Sequence, residues 1–400
     1  MDLRSHYPYW LMKNGIVASY PSLQKDITVD VAIVGAGISG ALIAYYLNKS
    51  GFNIAVIDRR HVGMGSTAAS TALLQYEIDT PLHKLADYVG LNNAVKSYKL
   101  CLKAIYDIQE ICKKINPDLS FNIKPSLQYA TYAKHYPMLY KEYGMRRKYG
   151  FNVNWLEPGD VEKKFGIKTH GGMLSEEAGE IDSYLVTHTL LRHCVAQGQT
   201  VCDNTDIIKI ENEERCVVLY SDTGYTINAK KLVLACGYES LKYIPKDIAK
   251  LYSTYALVSE PIDEKKIWYE RSLIWETNTP YMYFRVTDDN RVLIGGKDDP
   301  FYNPILRDAR IKKKARLLQD AFNQKFTNIP IRIDFSWAGT FASTEDGLPY
   351  IGTIPQRPNT YFALGFGGNG ITFSVIAAQI IKDMLLNKKN ENADIFSFER

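Results

Sequence analysis

Several kinds of feature are scarce in this 400-residue chain, and each absence closes off a class of function. No apolar stretch is long enough to span a bilayer. The formal net charge is only +4, and no dense Lys/Arg block appears, so neither nucleic acid nor a membrane surface is expected as a partner. The six cysteines, Cys101, Cys112, Cys194, Cys202, Cys216 and Cys236, form no CxxC pair and no metal-ligand spacing. They read as reduced, mostly buried thiols, which excludes a bound metal and points to the cytoplasm. Residues 1–24 mix charged and aromatic side chains and lack the apolar core of a signal peptide. Histidine stops at His193, so no imidazole acid–base pair is available to the C-terminal half. No repeat at solenoid periods and no low-complexity tract is visible.

The chain does contain a strong dinucleotide signature. Residues 27–34 are short, β-branched and uninterrupted, as a parallel strand buried on both faces requires. Gly35-Ala36-Gly37-Ile38-Ser39-Gly40 follows, then the helix-forming run 41–47, which stops at Ser50-Gly51. In this pattern Gly35 permits the tight turn and Gly37 the close approach of a pyrophosphate, while Gly40 allows the helix to pack on the sheet. The helix N-terminus then offers amides and dipole to the diphosphate. A second apolar strand ends at Asp58, where a carboxylate can accept bonds from ribose hydroxyls. Strand, glycine turn, helix and distant acid together make the motif specific, although NAD and FAD both remain open at this point.

Length alone exceeds one compact core and implies two domains. Residues 65–74 are rich in small and hydroxyl side chains suited to phosphate. An amphipathic helical pattern covers 81–115, short strand-like runs with turns cover 121–170, and a helix covers 185–196. Strands are expected at 206–210, 216–220, 231–237, 254–259, 281–286 and 291–295, with a hairpin turn at Asp288-Asp289-Asn290. A polar helix at 308–324 precedes a closing strand, the glycine-rich turn 365–370 and a helix to about residue 386. This second dinucleotide-type element lies far from the first, so the nucleotide domain is discontinuous. The split favours FAD, whose isoalloxazine must reach from the first βαβ unit to another region.

The residues that now stand out resemble the D-amino-acid oxidase/glycine oxidase family of FAD-dependent oxidoreductases. They are GAGISG at 35–40 with Asp58, GSTAAS at 65–70, LACG at 234–237, DGLPYIG at 346–352 and GFGGNGI at 365–371. The likeness runs over about residues 27–386, and Tyr9-Trp10 with Trp337-Ala338-Gly339-Thr340 look most like the gamma-glutamylputrescine oxidase branch. The resemblance implies an α/β fold: a discontinuous Rossmann-like FAD-binding domain (27–90, 171–245 and 334–390) with an inserted antiparallel β-sheet substrate domain (91–170 and 246–333). Residues 1–26 form an N-terminal extension expected to pack on the nucleotide domain, with a partner-binding tail as the alternative. It further implies that Gly35, Ala36, Gly37, Ile38, Ser39 and Gly40 hold the pyrophosphate and Asp58 the ribose. Arg59 and Ile207 would lie at the adenine, and Ser66 and Thr67 at phosphate. Ala72, Leu73 and Leu74 would run beside the flavin, and Ala235 and Gly237 over the FAD chain. Gly367, Gly368, Asn369, Gly370, Ile371 and Thr372 would meet the flavin's pyrimidine end and stabilise charge there.

Departures from the family bear on mechanism. Gly339 and Ala69 replace the family's flavin-linking cysteine and histidine, which implies non-covalent FAD. Phe341 stands where glycine oxidase has a carboxylate-binding arginine, and Leu293 where sarcosine oxidases place an oxygen-activating lysine. Alternation puts Tyr281, Tyr283 and Arg285 on one face of a strand. Tyr283, Arg285, Asn369, Tyr255 and Phe341 are therefore the candidates for the substrate cavity, with Arg285 able to fork onto a carboxylate. The implied reaction is oxidation of an amine or amino acid to an imine, with O2 or another acceptor taking the electrons. The rivals are a hydroxy-compound dehydrogenase and a flavin-binding subunit without turnover.

Overall fold

The computed structural model describes every residue except His6, Ser120, Lys246 and Gly365; Gly365, which opens the expected C-terminal glycine run, therefore lies outside the described residues. Two sheets organise the chain. In the first, the strand Ile27–Val34 lies between Thr226–Leu234 and Ile54–Ile57, parallel to both. Thr200–Cys202 extends it on one side and Thr360–Leu364 on the other, again parallel, with Tyr350–Thr353 as an antiparallel edge. Val31, Ala32 and Ile33 are wholly buried as an apolar run requires, whereas Thr28 and Asp30 interrupt the run expected over 27–34 and are not buried. The helices Ile38–Asn48, Ser183–Ala196 and Gly370–Leu385 cover one face. Ile38–Asn48 buries Ala41, Leu42, Ile43, Ala44 and Leu47, so it is apolar almost all round.

The second sheet is larger and mostly antiparallel. Its order is Ile333–Ser343, Lys250–Pro261, Arg291–Asp299, Tyr283–Val286, Leu273–Glu276, Asn122–Tyr129, Gly172–Glu180 and Leu73–Leu74, with Val153–Leu156 also paired to Gly172–Glu180. The helix Ile311–Lys325 packs on one face through Ala315, Leu318 and Phe322. Phe322 stacks on Phe326 at 4.5 Å and meets Phe284 edge-on. Each such ring contributes roughly 1.5–3 kcal/mol by leaving water. Successive side chains of a strand point to opposite faces. Phe284 therefore enters this aromatic core while Tyr283 faces the other way.

Several elements differ from the sequence expectation. The helical stretch 81–115 is two helices, Leu82–Val89 and Leu91–Ile115, broken at Gly90 with φ +77°. Residues 121–170 contain two helices, Tyr136–Lys148 and Pro158–Phe165, that the pattern did not announce. The buried face of the first is Leu139, Glu142 and Arg146, so its stripe is ionic rather than apolar and leaves no hydrophobic period. Glu142 and Arg146 bond to each other at 2.9 Å. The expected domain bounds do not follow the sheets: Leu73–Leu74, Gly172–Glu180 and Ile333–Ser343, placed with the nucleotide domain, pair in the second sheet. The N-terminal extension does more than lie on the nucleotide domain. Ser5 N donates to Ala338 O and Thr340 N to Leu3 O, beside the second sheet's edge strand. Tyr9 and Trp10, on the helix Tyr9–Asn14, are buried.

Candidate functional site

One elongated cavity runs between the two sheets. At one end it is lined by Gly35, Gly37, Ile38, Ser39, Asp58, Arg59, Ile207, Ala235 and Gly237. The glycine turn is sterically fixed: Gly35 has φ +112°, and a Cβ on Gly40 would sit 1.8 Å from Gly35 O. Asp58 closes the turn, accepting from Ala36 N at 2.7 Å and Arg60 N at 2.9 Å. Burial raises the Asp58 pKa, against the pull of those two amides. Thr67 Oγ1 accepts from Ile38 N at 3.0 Å, tying the short helix Ser66–Ala69 to the nucleotide helix. Beside it, Ser66 Oγ is buried with no partner and lines the cavity, an orphan donor where a phosphate is expected. Ala36 and Gly40 build this turn without lining the cavity, whereas the other dinucleotide-end residues expected from the sequence line it.

The loop after Ser66–Ala69 is held by its carbonyls. Trp337 Nε1 donates to Ala69 O at 2.9 Å and Trp10 Nε1 to Ser70 O at 2.6 Å. Arg285 Nη1 donates to Thr71 O, Ala72 O and Ile181 O at 3.0–3.2 Å. Four consecutive carbonyls are thus engaged by two indoles and a guanidinium, and Ala72 is held at φ +55°, a conformation costly for a residue with a Cβ. This corrects one expectation. Arg285 is buried, pairs with Glu180 at 3.2 Å and stands over the Trp10 ring, so its cation is spent on the loop and does not line the cavity.

Past the loop the cavity opens into a chamber lined by Leu73, Leu74, Gln75, Thr254, Tyr281, Tyr283, Asp298, Thr340 and Phe341. Gly367, Gly368, Asn369, Gly370, Ile371 and Thr372 line it from the N-terminal end of the helix Gly370–Leu385. Gly368 N there donates to the Asp79 carboxylate at 2.9 Å, and the positive end of the helix favours a negative charge. Asn369 lines the wall but commits its amide, donating to Gln75 O and Glu77 O at 2.9 Å each, so it positions the glycine turn. Tyr255 is a second correction: its ring is buried outside the cavity and its hydroxyl donates to Asp299 at 2.9 Å. Tyr283 and Phe341 line the chamber as expected. Gly339 and Ala69 line the cavity too, and neither carries an atom that can bond a cofactor covalently.

Thr254 and Asp298 are among the polar lining residues that sequence reading missed. No local signal marks them, because a bulge brings them together: Ser253 pairs with Asp299 and Tyr255 with Gly296, leaving Thr254 alone opposite Lys297 and Asp298. Among the described residues no group of histidine, cysteine and carboxylate side chains could hold a metal, and no helix is long and apolar enough to cross a membrane.

Comparison with known proteins agrees with this geometry. A family model described as DAO, FAD dependent oxidoreductase, matches residues 30–384. Glycine oxidase of Geobacillus kaustophilus is 24% identical over 374 residues, covering 90% of this chain and 93% of that protein. Gamma-glutamylputrescine oxidoreductase of Escherichia coli is 21% identical over 387 residues, covering 94% and 88%. That branch is therefore not singled out by identity. The crystal structure of the Geobacillus glycine oxidase superposes with a TM-score of 0.75 at 20% identity, over 91% of this chain and 96% of that one, which shows the shared fold.

Proposed function

Because the chain belongs to the family of FAD dependent oxidoreductases, we propose that it oxidises the C–N bond of a primary or secondary amine or amino acid to an imine, which water then hydrolyses. Bound FAD supplies the hydride acceptor. The cradle suits that group: lacking Cβ atoms, Gly35 and Gly37 let the turn close against Ala235 O and Thr67 Oγ1 while lining the cavity, Ser66 Oγ awaits an acceptor, and Asp58 would meet the ribose. Gly370, Ile371 and Thr372 would meet the electron-rich edge, where helix amides offset gathering negative charge. With Ala69 and Gly339 at the two linking positions, the cofactor is held without a covalent bond.

The observation that carries the reading is the character of the chamber. Aromatic walls and hydroxyls face a helix N-terminus, and among the described residues no histidine lines the cavity. Removing a proton from an alcohol during hydride loss asks for a base poised near neutrality, a part that only Asp298 among the described chamber residues could take, so the hydroxy-compound reading rests on that one carboxylate. A neutral amine needs none, because its own lone pair drives the hydride out, and the site has only to orient it and exclude water. Tyr281, Tyr283 and Phe341 supply that exclusion.

For the oxidising half, no lysine among the described residues lines the chamber; Lys242 lies at the dinucleotide end, near Tyr243 and Asp206. Leu293 is fully buried. This favours slow reaction with O2 and an acceptor other than oxygen. Mixing the FAD-loaded protein anaerobically with amines, amino acids and hydroxy acids, then admitting air, tests both halves. Reduction by an amine with slow return of colour in air is the expected result. Reduction only by a hydroxy acid would replace this reading with a hydroxy-compound dehydrogenase, and a flavin reduced by nothing would favour a subunit without turnover.

A further inference from the structure

Asp298 and Asp299 are neighbours with opposite fates. Asp299 accepts from Lys314 Nζ at 2.7 Å, Arg310 Nη1 at 3.0 Å and the Tyr255 hydroxyl at 2.9 Å, so two cations and a phenol satisfy it. The bulge turns Asp298 into the chamber instead, where Thr254 is its hydrogen-bond partner. Asp298 Oδ1 is buried and has no partner. A carboxylate oxygen left so costs free energy unless something else meets it.

What would meet it is a hydrogen-bond donor, and a cationic one answers its charge as well. The chamber's aromatic walls are Tyr281, Tyr283 and Phe341. Tyr281 and Tyr283 lie 5.7 Å apart and continue to Trp275 at 5.9 Å. Such faces favour a cation through their quadrupoles. Among the described residues no arginine or lysine lines the chamber to receive an anion: Arg285 is spent on the loop, and Arg59, Arg60 and Lys242 belong to the dinucleotide end. Lys314, the cation nearest Asp298 in charge effect, is bonded to Asp299 and Lys297 O.

Resting on the amine-oxidation reading above, we propose that Asp298 is the anchor for the substrate's ammonium group and takes one proton from it, leaving the neutral amine that loses hydride, and that the enzyme takes amine cations carrying no carboxylate beside the reacting carbon. An α-amino acid would place its carboxylate against Asp298 with no cation to offset the repulsion. The electrostatics agree: burial, with Asp79 adding to it, lifts the Asp298 pKa to about 6 against the bond from Thr254 and the charge of Lys314. Asp299, Tyr281 and Tyr283 are the other titratable groups facing it. A bound cation would reverse that lift, and binding should weaken as pH falls through about 6.

The test uses the FAD-loaded protein and two probes of one shape, tetramethylammonium and pivalate, followed by perturbation of the flavin spectrum. Neither is oxidised, since the ammonium nitrogen has no lone pair. Tetramethylammonium should bind and pivalate should not. Asp298→Asn, and Asp298→Ser as a second deletion of the charge, should weaken tetramethylammonium at least roughly tenfold while retaining flavin. Equal binding of pivalate, variants within about twofold of wild type, or loss of flavin from both variants would overturn the anchor. Anaerobic reduction by alkylamines, run alongside, separates the two ideas. If amines reduce the flavin while the anchor test fails, amine oxidation stands and Asp298 is released from it. If cation binding depends on Asp298 but no amine reduces the flavin, the substrate claim falls with the amine reading.

Discussion

The two ends of the cavity are built on opposite principles. At the dinucleotide end, charged groups are satisfied by the chain itself and, among the described residues, only the neutral Ser66 hydroxyl is left over: Asp58 is met by two backbone amides, Thr67 by Ile38 N, Arg59 and Arg60 by Glu239. That end is a fixed mould, and a ligand enters by fitting it. At the chamber end the geometry is equally fixed, but charge is left unanswered at Asp298 Oδ1. A mould gives affinity without selectivity among substrates; an unpaired charge in an aromatic box selects one sign. The carbonyl-clamped loop 69–72 joins the two.

The sharpest way to break the comparison is at the mould. Gly40→Val places carbon where Gly35 O stands, so the turn cannot close, and the purified protein should carry no flavin by absorbance. Flavin at wild-type stoichiometry would contradict the account of that end. Next comes the clamp. Arg285→Met abandons Glu180 and removes the donor to three carbonyls, which should cost about 3–5 kcal/mol in denaturant unfolding. Arg285→Lys should recover only part of this, since one ammonium cannot reproduce the guanidinium's fork.

Asp298 predicts the reverse sign. Its folded pKa of about 6 lies above the ordinary 3.8, so the folded state holds its proton more tightly than the unfolded one. Stability from this group is therefore lost as pH rises through about 6 and is restored as pH falls toward 4. Asp298→Asn should raise the thermal midpoint by roughly 1–4 °C at alkaline pH, with the gain fading in acid. A lower midpoint at alkaline pH would mean that the carboxylate is satisfied. Smallest of all, Tyr283→Phe removes a hydroxyl that bonds Thr71 and Thr254, and should cost about 1 kcal/mol while leaving flavin content unchanged.

The same contrast explains what the sequence made readable. A mould made of backbone must be written in residues that free the backbone, so Gly35, Gly37, Gly40 and the 367–370 run announced it, with the sheet that carries it. The chamber depends on register. Strand alternation placed Tyr281 and Tyr283 correctly, but it could not show that Arg285, on the same face, lands under the loop carbonyls. Nor could it reveal a bulge opposite Thr254, which decides that Asp298 and not Asp299 meets the cavity. Tyr255 was drawn the other way by the same bulge, bonding Asp299 behind the sheet. The helix Tyr136–Lys148 escaped for a related reason, since its buried Glu142 and Arg146 satisfy each other and leave no apolar period.

The most direct test of the central claim is anaerobic titration of the FAD-loaded protein with a primary or secondary alkylamine, following the flavin's visible band and the carbonyl product together. The account predicts full bleaching with one carbonyl released per flavin. An unbleached flavin with every amine and amino acid, alongside bleaching by a hydroxy acid, would contradict it.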